Sequence, residues 1–178
     1  MEGIENRQRA VRVEIRALLG FTNRVKLDLG LGQESVAICL INDREMARLN
    51  ETYRNKKGTT DVLSFPAAGM ALPGIAGDIA ISVPAARRQA LEQGHSLADE
   101  VKVLILHGLL HLAGYDHQVD NGRMERRERL LRRRLGLPQG LIERSTSAPC
   151  PILAPAVGRK GGKPQSFILT AQRRSRRP

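Results

Sequence analysis

The stretch Val101-Lys-Val-Leu-Ile-Leu-His-Gly-Leu-Leu-His-Leu-Ala-Gly-Tyr-Asp-His117 decides how this chain folds. Residues 101–112 are apolar almost all round, which predicts a buried central helix rather than an amphipathic surface helix. Ser96, with Asp99 three residues later, is a variant of the capping box and predicts where this helix begins. The rest of the fold is therefore expected to pack around this segment.

Three of the four histidines of the chain, His107, His111 and His117, lie within this stretch. The first two are four residues apart, so a helix places both rings on one face. Gly114 can take the left-handed conformation that ends a helix, after which the third histidine can approach the same point. Three histidines with an open fourth position are typical of a catalytic zinc site, whereas a structural site closes with four protein ligands. We therefore expect one Zn²⁺ ion held by these three residues.

The spacing matches the zinc-peptidase pattern H-E-x-x-H-x-x-G-x-x-H at each histidine and at the glycine. Gly108 stands where that pattern has the glutamate that acts as general base. General acid–base catalysis contributes typically about 10²–10⁴-fold, so the missing carboxylate argues against proteolysis. The remaining histidine, His95, is expected in a loop or behind the ligands rather than on the metal.

Outward from the central helix, the chain mixes apolar runs of strand length with segments of helical periodicity. Strands are predicted at 4–8, 36–41, 61–66 and 77–82. Helices are predicted at 10–29, from a cap at 42–43 to about 53, at 85–93 and at 121–135. No regular βαβ repeat is visible. The expected fold class is α+β, with a small mixed β-sheet packed with helices and the histidines on the central buried helix.

Charge divides the chain into two parts. The net charge is +11, and eight Lys or Arg without any acid lie in 144–178, which leaves 11 − 8, or +3, for residues 1–143. Residues 144–178 are rich in Ser, Pro, Gly and cations and have no persistent periodicity, which predicts a disordered basic tail. We accordingly expect a domain at 1–143 followed by this tail. A basic excess favours polyanionic partners such as RNA, although a solvating extension without a partner is an alternative.

The composition also indicates where the protein works. Cys39 lies in an apolar run and Cys150 in the tail, so neither belongs to a disulfide framework or a CxxC motif. No signal peptide is visible, and no apolar stretch approaches the ~20 residues that span a bilayer. We expect a cytoplasmic protein with no membrane partner.

Several blocks of sequence, taken together, resemble one family. The histidine stretch is accompanied, in order, by Leu49-Asn-x-x-Tyr-Arg54, Thr60-Asp-Val-Leu-Ser-Phe-Pro66, Gly77-Asp-Ile79 and Gly94-His-Ser96. This set resembles the YbeY family of bacterial single-strand-specific endoribonucleases and ribosomal RNA maturation factors, over about residues 4–135. One loop departs from the family pattern, because Lys56-Lys-Gly-Thr59 replaces the usual Lys-Asp-x-Pro.

The resemblance implies zinc ligation by His107, His111 and His117, and it implies that Arg54 is the basic residue associated with RNA cleavage. A guanidinium suits that role, because it offers two parallel donors to a phosphate and keeps its charge at neutral pH. The implied activity is a zinc-dependent endoribonuclease that matures the 3′ end of small-subunit ribosomal RNA and acts in ribosome quality control. The implied partners are single-stranded or ribosomal RNA and the small ribosomal subunit, and no DNA partner is expected.

Two further readings stay open. In the first, the chain is a non-catalytic ribosome-assembly factor in which zinc only stabilises the fold. In the second, it is a metallopeptidase or another metallohydrolase, which Gly108 disfavours. Asp78 and Asp116 are candidates for orienting the histidines, and capping or turn roles are equally compatible with their positions.

Overall fold

In the computed structural model, residues 3–67, 73–117 and 119–139 are described, and they form four strands and five helices. The elements in chain order are β1 (Gly3–Asn6), α1 (Ile15–Asp28), β2 (Ser35–Ile41), α2 (Asp43–Arg54), β3 (Val62–Pro66), β4 (Ile75–Ser82), α3 (Val83–Gln93), α4 (Leu97–Leu112) and α5 (Arg123–Arg134). The predicted tail, 144–178, and the predicted boundary at residue 143 lie outside the described residues. No helix in the described ranges is long and apolar enough to cross a membrane.

The four strands form one mixed sheet in the order β1-β2-β4-β3. β1 pairs parallel with β2, and β2 pairs parallel with β4, whereas β3 runs antiparallel to β4. The predicted α+β class with a small mixed sheet is confirmed. The unit β1-α1-β2 joins two neighbouring parallel strands through a helix, although the sequence shows no regular βαβ repeat. The polar composition of β1 follows from its place at the edge of the sheet, where one side has no neighbouring strand.

Each face of the sheet carries its own apolar cluster. Ile38 and Leu40 of β2 and Ile79 and Ile81 of β4 pack in the larger cluster, which also contains the buried residues of α4. The alternate residues Cys39, Ile41 and Ala80 pack with Met46 of α2 in the smaller one. This division follows from the two-residue period of a strand. Helix α4 therefore covers one face and α2 the other.

Helix α4 has the predicted buried position. Eleven of its residues are buried, and it contacts α1, α3, α5, β3 and β4. Its start is confirmed, because the Ser96 side chain accepts a hydrogen bond from the Asp99 N–H at 3.0 Å. The predicted start of α1 at residue 10 is wrong, since α1 begins at Ile15. Before Ile15, the side-chain amide of Gln8 accepts from the N–H of Val11 at 2.9 Å and donates to its carbonyl at 2.7 Å. These two bonds compete with a helical turn at residues 8–11.

Candidate metal centre

Helix α4 lies unusually close to the sheet at Gly108. A Cβ atom at this position would lie 2.8 Å from Cδ1 and 3.0 Å from Cγ2 of the buried Ile79 side chain. The glycine therefore lets the helix backbone approach β4 directly. This packing explains why the glutamate of the peptidase pattern is missing, because any side chain at 108 would point into the sheet.

The C-terminus of α4 ends in a Schellman motif that reverses the chain. Gly114 has φ 84°, in the left-handed region that favours glycine. The Tyr115 N–H donates to the Leu110 carbonyl at 3.0 Å, and the Gly114 N–H donates to the His111 carbonyl at 3.0 Å. The predicted role of Gly114 is confirmed. The returning segment carries His117 back towards the helix.

The structure brings His107, His111 and His117 together. One ring nitrogen from each lies within 4.8 Å of the corresponding nitrogens of the other two. The ring centroids are 4.8 Å apart for the first pair, 5.8 Å for His107 and His117, and 5.2 Å for His111 and His117. His111 is buried and the other two are half-buried, so the cluster has an inner and an outer side. Among the described residues, this is the group of histidine, cysteine and acidic side chains whose spacing fits a metal ion.

Hydrogen bonds at Nδ1 orient two of the rings. The Nδ1 atom of His107 donates to Oε2 of Glu128 at 3.0 Å, and that of His111 donates to the Tyr115 carbonyl at 3.0 Å. Each bond places the ring hydrogen on Nδ1 and leaves the Nε2 lone pair available. Nε2 of His111 is buried and has no hydrogen-bond partner among the described residues. A buried, unpartnered acceptor beside two further imidazoles fits a divalent metal ion.

The electrostatics of the cluster favour neutral rings. Burial, followed by the neighbouring His107 and His117, lowers the pKa of His111 to about 3. Burial and then His107 also lower the pKa of His117 below its usual range. Both rings are therefore neutral at physiological pH. Metal binding needs neutral imidazoles, so no proton has to be displaced from these two rings at pH 7.

Glu128 of α5 is the residue at this site that the sequence reasoning missed. Its Oε2 accepts from His107, while its Oε1 accepts a hydrogen bond from Arg132 one turn later. Burial raises the pKa of Glu128, but the hydrogen bonds and charges of these two partners outweigh burial and lower it to about 2. The carboxylate is therefore ionised. A histidine held by a carboxylate in this way is a recurring arrangement behind protein metal ions.

Arg54 comes from a different part of the fold. It is the last residue of α2, on the face of the sheet opposite to α4, and its Nη1 donates to Oδ1 of Asn50 at 3.5 Å. Asn50 also donates to the Gly58 carbonyl at 3.0 Å, which ties the basic loop after α2 to the same helix. The arginine is thus attached to the loop that departs from the family pattern.

The other polar candidates have separate places. His95 is not one of the three clustered histidines, and its Nε2 lies 2.6 Å from Oε2 of the fully buried Glu100. Asp78 alternates along β4 with Ile79 and Ile81, so it lies on the face of Ala80, which packs towards α2. The carbonyl of Asp116 accepts from the N–H groups of residues 119 and 120, as expected for a turn.

The fold is α+β, and its buried helix and the segment that returns after it bring three histidines together. A protein of this class is able to hold one metal ion with an open coordination position. The family model described as Endoribonuclease YbeY matches residues 3–136. The chain therefore belongs to the YbeY family.

Individual relatives agree with this assignment. A protein of Solibacter usitatus named Endoribonuclease YbeY is 53% identical to this chain over 108 residues, which cover 61% of this chain and 71% of the relative. The relative from Koribacter versatilis is 46% identical over 134 residues, covering 75% and 86%. A solution structure of a Thermotoga maritima protein matches with a TM-score of 0.53 at 24% identity, covering 72% of this chain and 84% of that one. This last likeness concerns the fold alone.

Proposed function

We propose that this chain is a metal-dependent endoribonuclease that cleaves single-stranded RNA. The observation that carries the proposal is the cluster of His107, His111 and His117, with its buried, unpartnered Nε2, in a chain of this family. The three histidines are the proposed ligands of one Zn²⁺ ion. A bound zinc ion supplies a Lewis acid and lowers the pKa of a coordinated water to about 7.

The protein side chains position the ion and the substrate. Glu128 and the Tyr115 carbonyl orient two of the rings through Nδ1 and leave their Nε2 atoms as the nitrogens that would hold the ion. Arg54 is the proposed group that binds the scissile phosphate and stabilises the charge that develops on it in the transition state. The family assignment supports this role, since α2 and α4 lie on opposite faces of the sheet. Gly108 offers no carboxylate, so the general base comes from another source than in the zinc peptidases.

The biological role that we propose is maturation of the 3′ end of small-subunit ribosomal RNA and ribosome quality control in the cytoplasm. The support is the family assignment and the net charge of +11, which favours RNA. In this proposal residues 1–143 form the nuclease domain. The tail, 144–178, adds a basic segment that strengthens contact with RNA or the small ribosomal subunit.

Metal analysis coupled to an RNA-cleavage assay tests the activity. We expect about one zinc per chain in the wild type, cleavage of an unstructured RNA, and loss of both in His111→Ala. Mapping the product ends distinguishes attack by water from attack by the ribose 2′-hydroxyl. Full zinc occupancy without cleavage would instead favour a non-catalytic assembly factor, and activity on casein would favour a peptidase.

Arg54 is tested separately from the metal ligands. Arg54→Ala is expected to keep its zinc but to lower kcat on RNA by about 10²-fold, the usual effect of removing one charge-stabilising donor. Arg48→Ala, an exposed residue of the same helix, is the matched control. Wild-type cleavage by Arg54→Ala would remove this residue from the mechanism.

A further inference from the structure

Helix α5 has two chemically different faces. Its inner face carries the buried Met124, Leu131 and Arg132, together with Glu128, which binds His107. Its outer face carries residues at the helical spacing i, i+3, i+4 and i+7. These outer residues are Arg126, Arg129, Leu130 and Arg133, all exposed. The two faces lie on opposite sides of a helix about 10–12 Å in diameter.

Side chains on the outer face of α5 border a shallow, open groove of about 450 Å³ that runs along this one helix. Its lining residues are Arg126, Arg129, Leu130, Arg133 and Arg134. The lining contains four arginines and no acid, so the groove is strongly cationic. Leu130, at 54% exposure, gives it one apolar surface between the arginines.

Within the part of the chain that the structure describes, three of these four arginines form no ion pair with an acid. Arg134 pairs with Asp28 at 3.2 Å, and Arg126 donates to the Asn121 carbonyl at 3.2 Å. Within the described ranges, Arg129 and Arg133 form no ion pair with an acid. The groove therefore keeps most of its positive charge.

Helix stability does not explain this stripe. Like charges three or four residues apart destabilise a helix by about 0.2–0.5 kcal/mol per pair. The helix dipole favours cations only in the last turn, which accounts for Arg133 and Arg134, and Glu125, one turn before Arg129, can offset the charge of that residue. Neither effect accounts for Arg126. A ligand that supplies negative charges at regular spacing would offset the repulsion.

We propose that the outer groove of α5 binds the phosphate backbone of single-stranded RNA, as a second site separate from the histidine cluster. This inference rests on the proposed function, because it assumes an RNA substrate. From Arg126 to Arg133 the helix rises about 10 Å, so the arginine side chains form a row that can follow successive phosphates of one strand. Leu130 offers an apolar contact to a sugar or a base.

The placement of the groove predicts a dependence on RNA length. Glu128 on the same helix contacts His107, so the groove and the histidines are separated by about one helix diameter. A long RNA strand can occupy both sites at once, whereas an RNA of a few nucleotides can occupy only one. The groove therefore increases the affinity for long RNA and leaves the cleavage step itself unchanged.

The test compares two variants that lose the same charge. One is the triple variant Arg126→Gln/Arg129→Gln/Arg133→Gln. The control replaces exposed arginines of three other helices, Arg16→Gln/Arg44→Gln/Arg87→Gln. Both are made in the full chain, and their folding is checked by circular dichroism. Binding of a fluorescent, unstructured 20-nucleotide RNA is measured by anisotropy from low to high salt, in a His111→Ala background that prevents cleavage.

We expect the groove variant to bind more weakly. Its plot of log affinity against log salt should be less steep by about 2, since each lost contact to single-stranded RNA removes about 0.7 from the magnitude of the negative slope. The control should change the slope by much less. In the His111 wild-type background, KM for long RNA should rise in the groove variant, while kcat and the cleavage of a four-nucleotide RNA stay unchanged. Equal slopes in the two triple variants would overturn the proposal, whether or not the enzyme cleaves RNA. Absence of cleavage together with the expected slope difference would overturn the nuclease function and leave the RNA groove standing.

Discussion

Replacing Glu128 with glutamine should weaken metal binding while leaving all three histidines in place. The amide oxygen can still accept the hydrogen bond from His107 Nδ1, which is 3.0 Å long in the wild type. The substitution removes the negative charge that makes this ring a better ligand and that pairs with Arg132. The change is therefore one of charge rather than of shape.

The expected loss is about 10–100-fold in zinc affinity, the usual effect of removing a partner that orients a metal ligand, or about 1.4–2.7 kcal/mol. Glu128 should lie in the upper part of this range, because its side chain is only 13% exposed and solvent screens its charge little. Cleavage at saturating zinc should fall less than the affinity does.

Zinc affinity is measured by competition with a chromophoric chelator, and the visible spectrum of the Co²⁺ form reports the geometry of the ligands. The control is Glu125→Gln, which removes an exposed carboxylate about one turn before Glu128 on the same helix. A zinc affinity for folded Glu128→Gln within twofold of the control would refute the reasoning. Identical Co²⁺ spectra for Glu128→Gln and the wild type, with a lower Tm of the variant as the only effect, would refute it as well.

Three further outcomes follow from the structure. Zinc at 100 times its Kd should stabilise the wild type by about 2.7 kcal/mol and raise its Tm by roughly 5–10 °C, with no such rise for His111→Ala in the same thermal scan. Gly77→Ala should lower the free energy of unfolding by about 3 kcal/mol or more, because Gly77 has φ 141° and a Cβ there would lie 2.2 Å from a backbone carbonyl oxygen. Gly20→Ala, in an open part of α1, should instead raise the free energy of unfolding measured in urea by about 0.5–1 kcal/mol. Asp43→Asn should cost about 1 kcal/mol at pH 7, since the hydrogen bond from Arg88 at 2.7 Å holds the Asp43 pKa below its usual range. This stabilisation is present above the unfolded pKa and is lost as the pH falls through the lower folded pKa, so the difference in unfolding free energy should stay constant from pH 7 to 5 and shrink below pH 4.

The local features of the site could be predicted from sequence because each depends on residues close together in the chain. The Ser96 cap, the burial of α4 and the left-handed Gly114 all follow from spacing and residue type. The carbonyl that orients His111 could not be predicted in this way. It belongs to the backbone of Tyr115, and a carbonyl group is present at every residue.

Glu128 left a signal that the sequence reasoning did not use. It is 21 residues from His107, so no local motif joins the two. Its helical phase, however, places it between Met124 and Leu131 on the apolar side of α5, where a carboxylate needs a partner. Its Oε1 pairs with Arg132 while its Oε2 accepts from His107, so one carboxylate serves both an arginine of its own helix and a histidine of α4.

The close packing of α4 on the sheet separates this site from a zinc peptidase in a physical sense. Gly108 has no room for a side chain, since Ile79 fills the position of its Cβ, so the packing that fixes His107 and His111 also excludes a carboxylate base at that position. A phosphodiester substrate is itself negatively charged, and an unpaired carboxylate beside the ion would repel it. The carboxylate that is present, Glu128, lies behind His107 and is neutralised by Arg132. In the proposed site, Glu128 would thus strengthen a metal ligand without placing a free negative charge in front of the ion, which suits an RNA backbone better than a peptide bond.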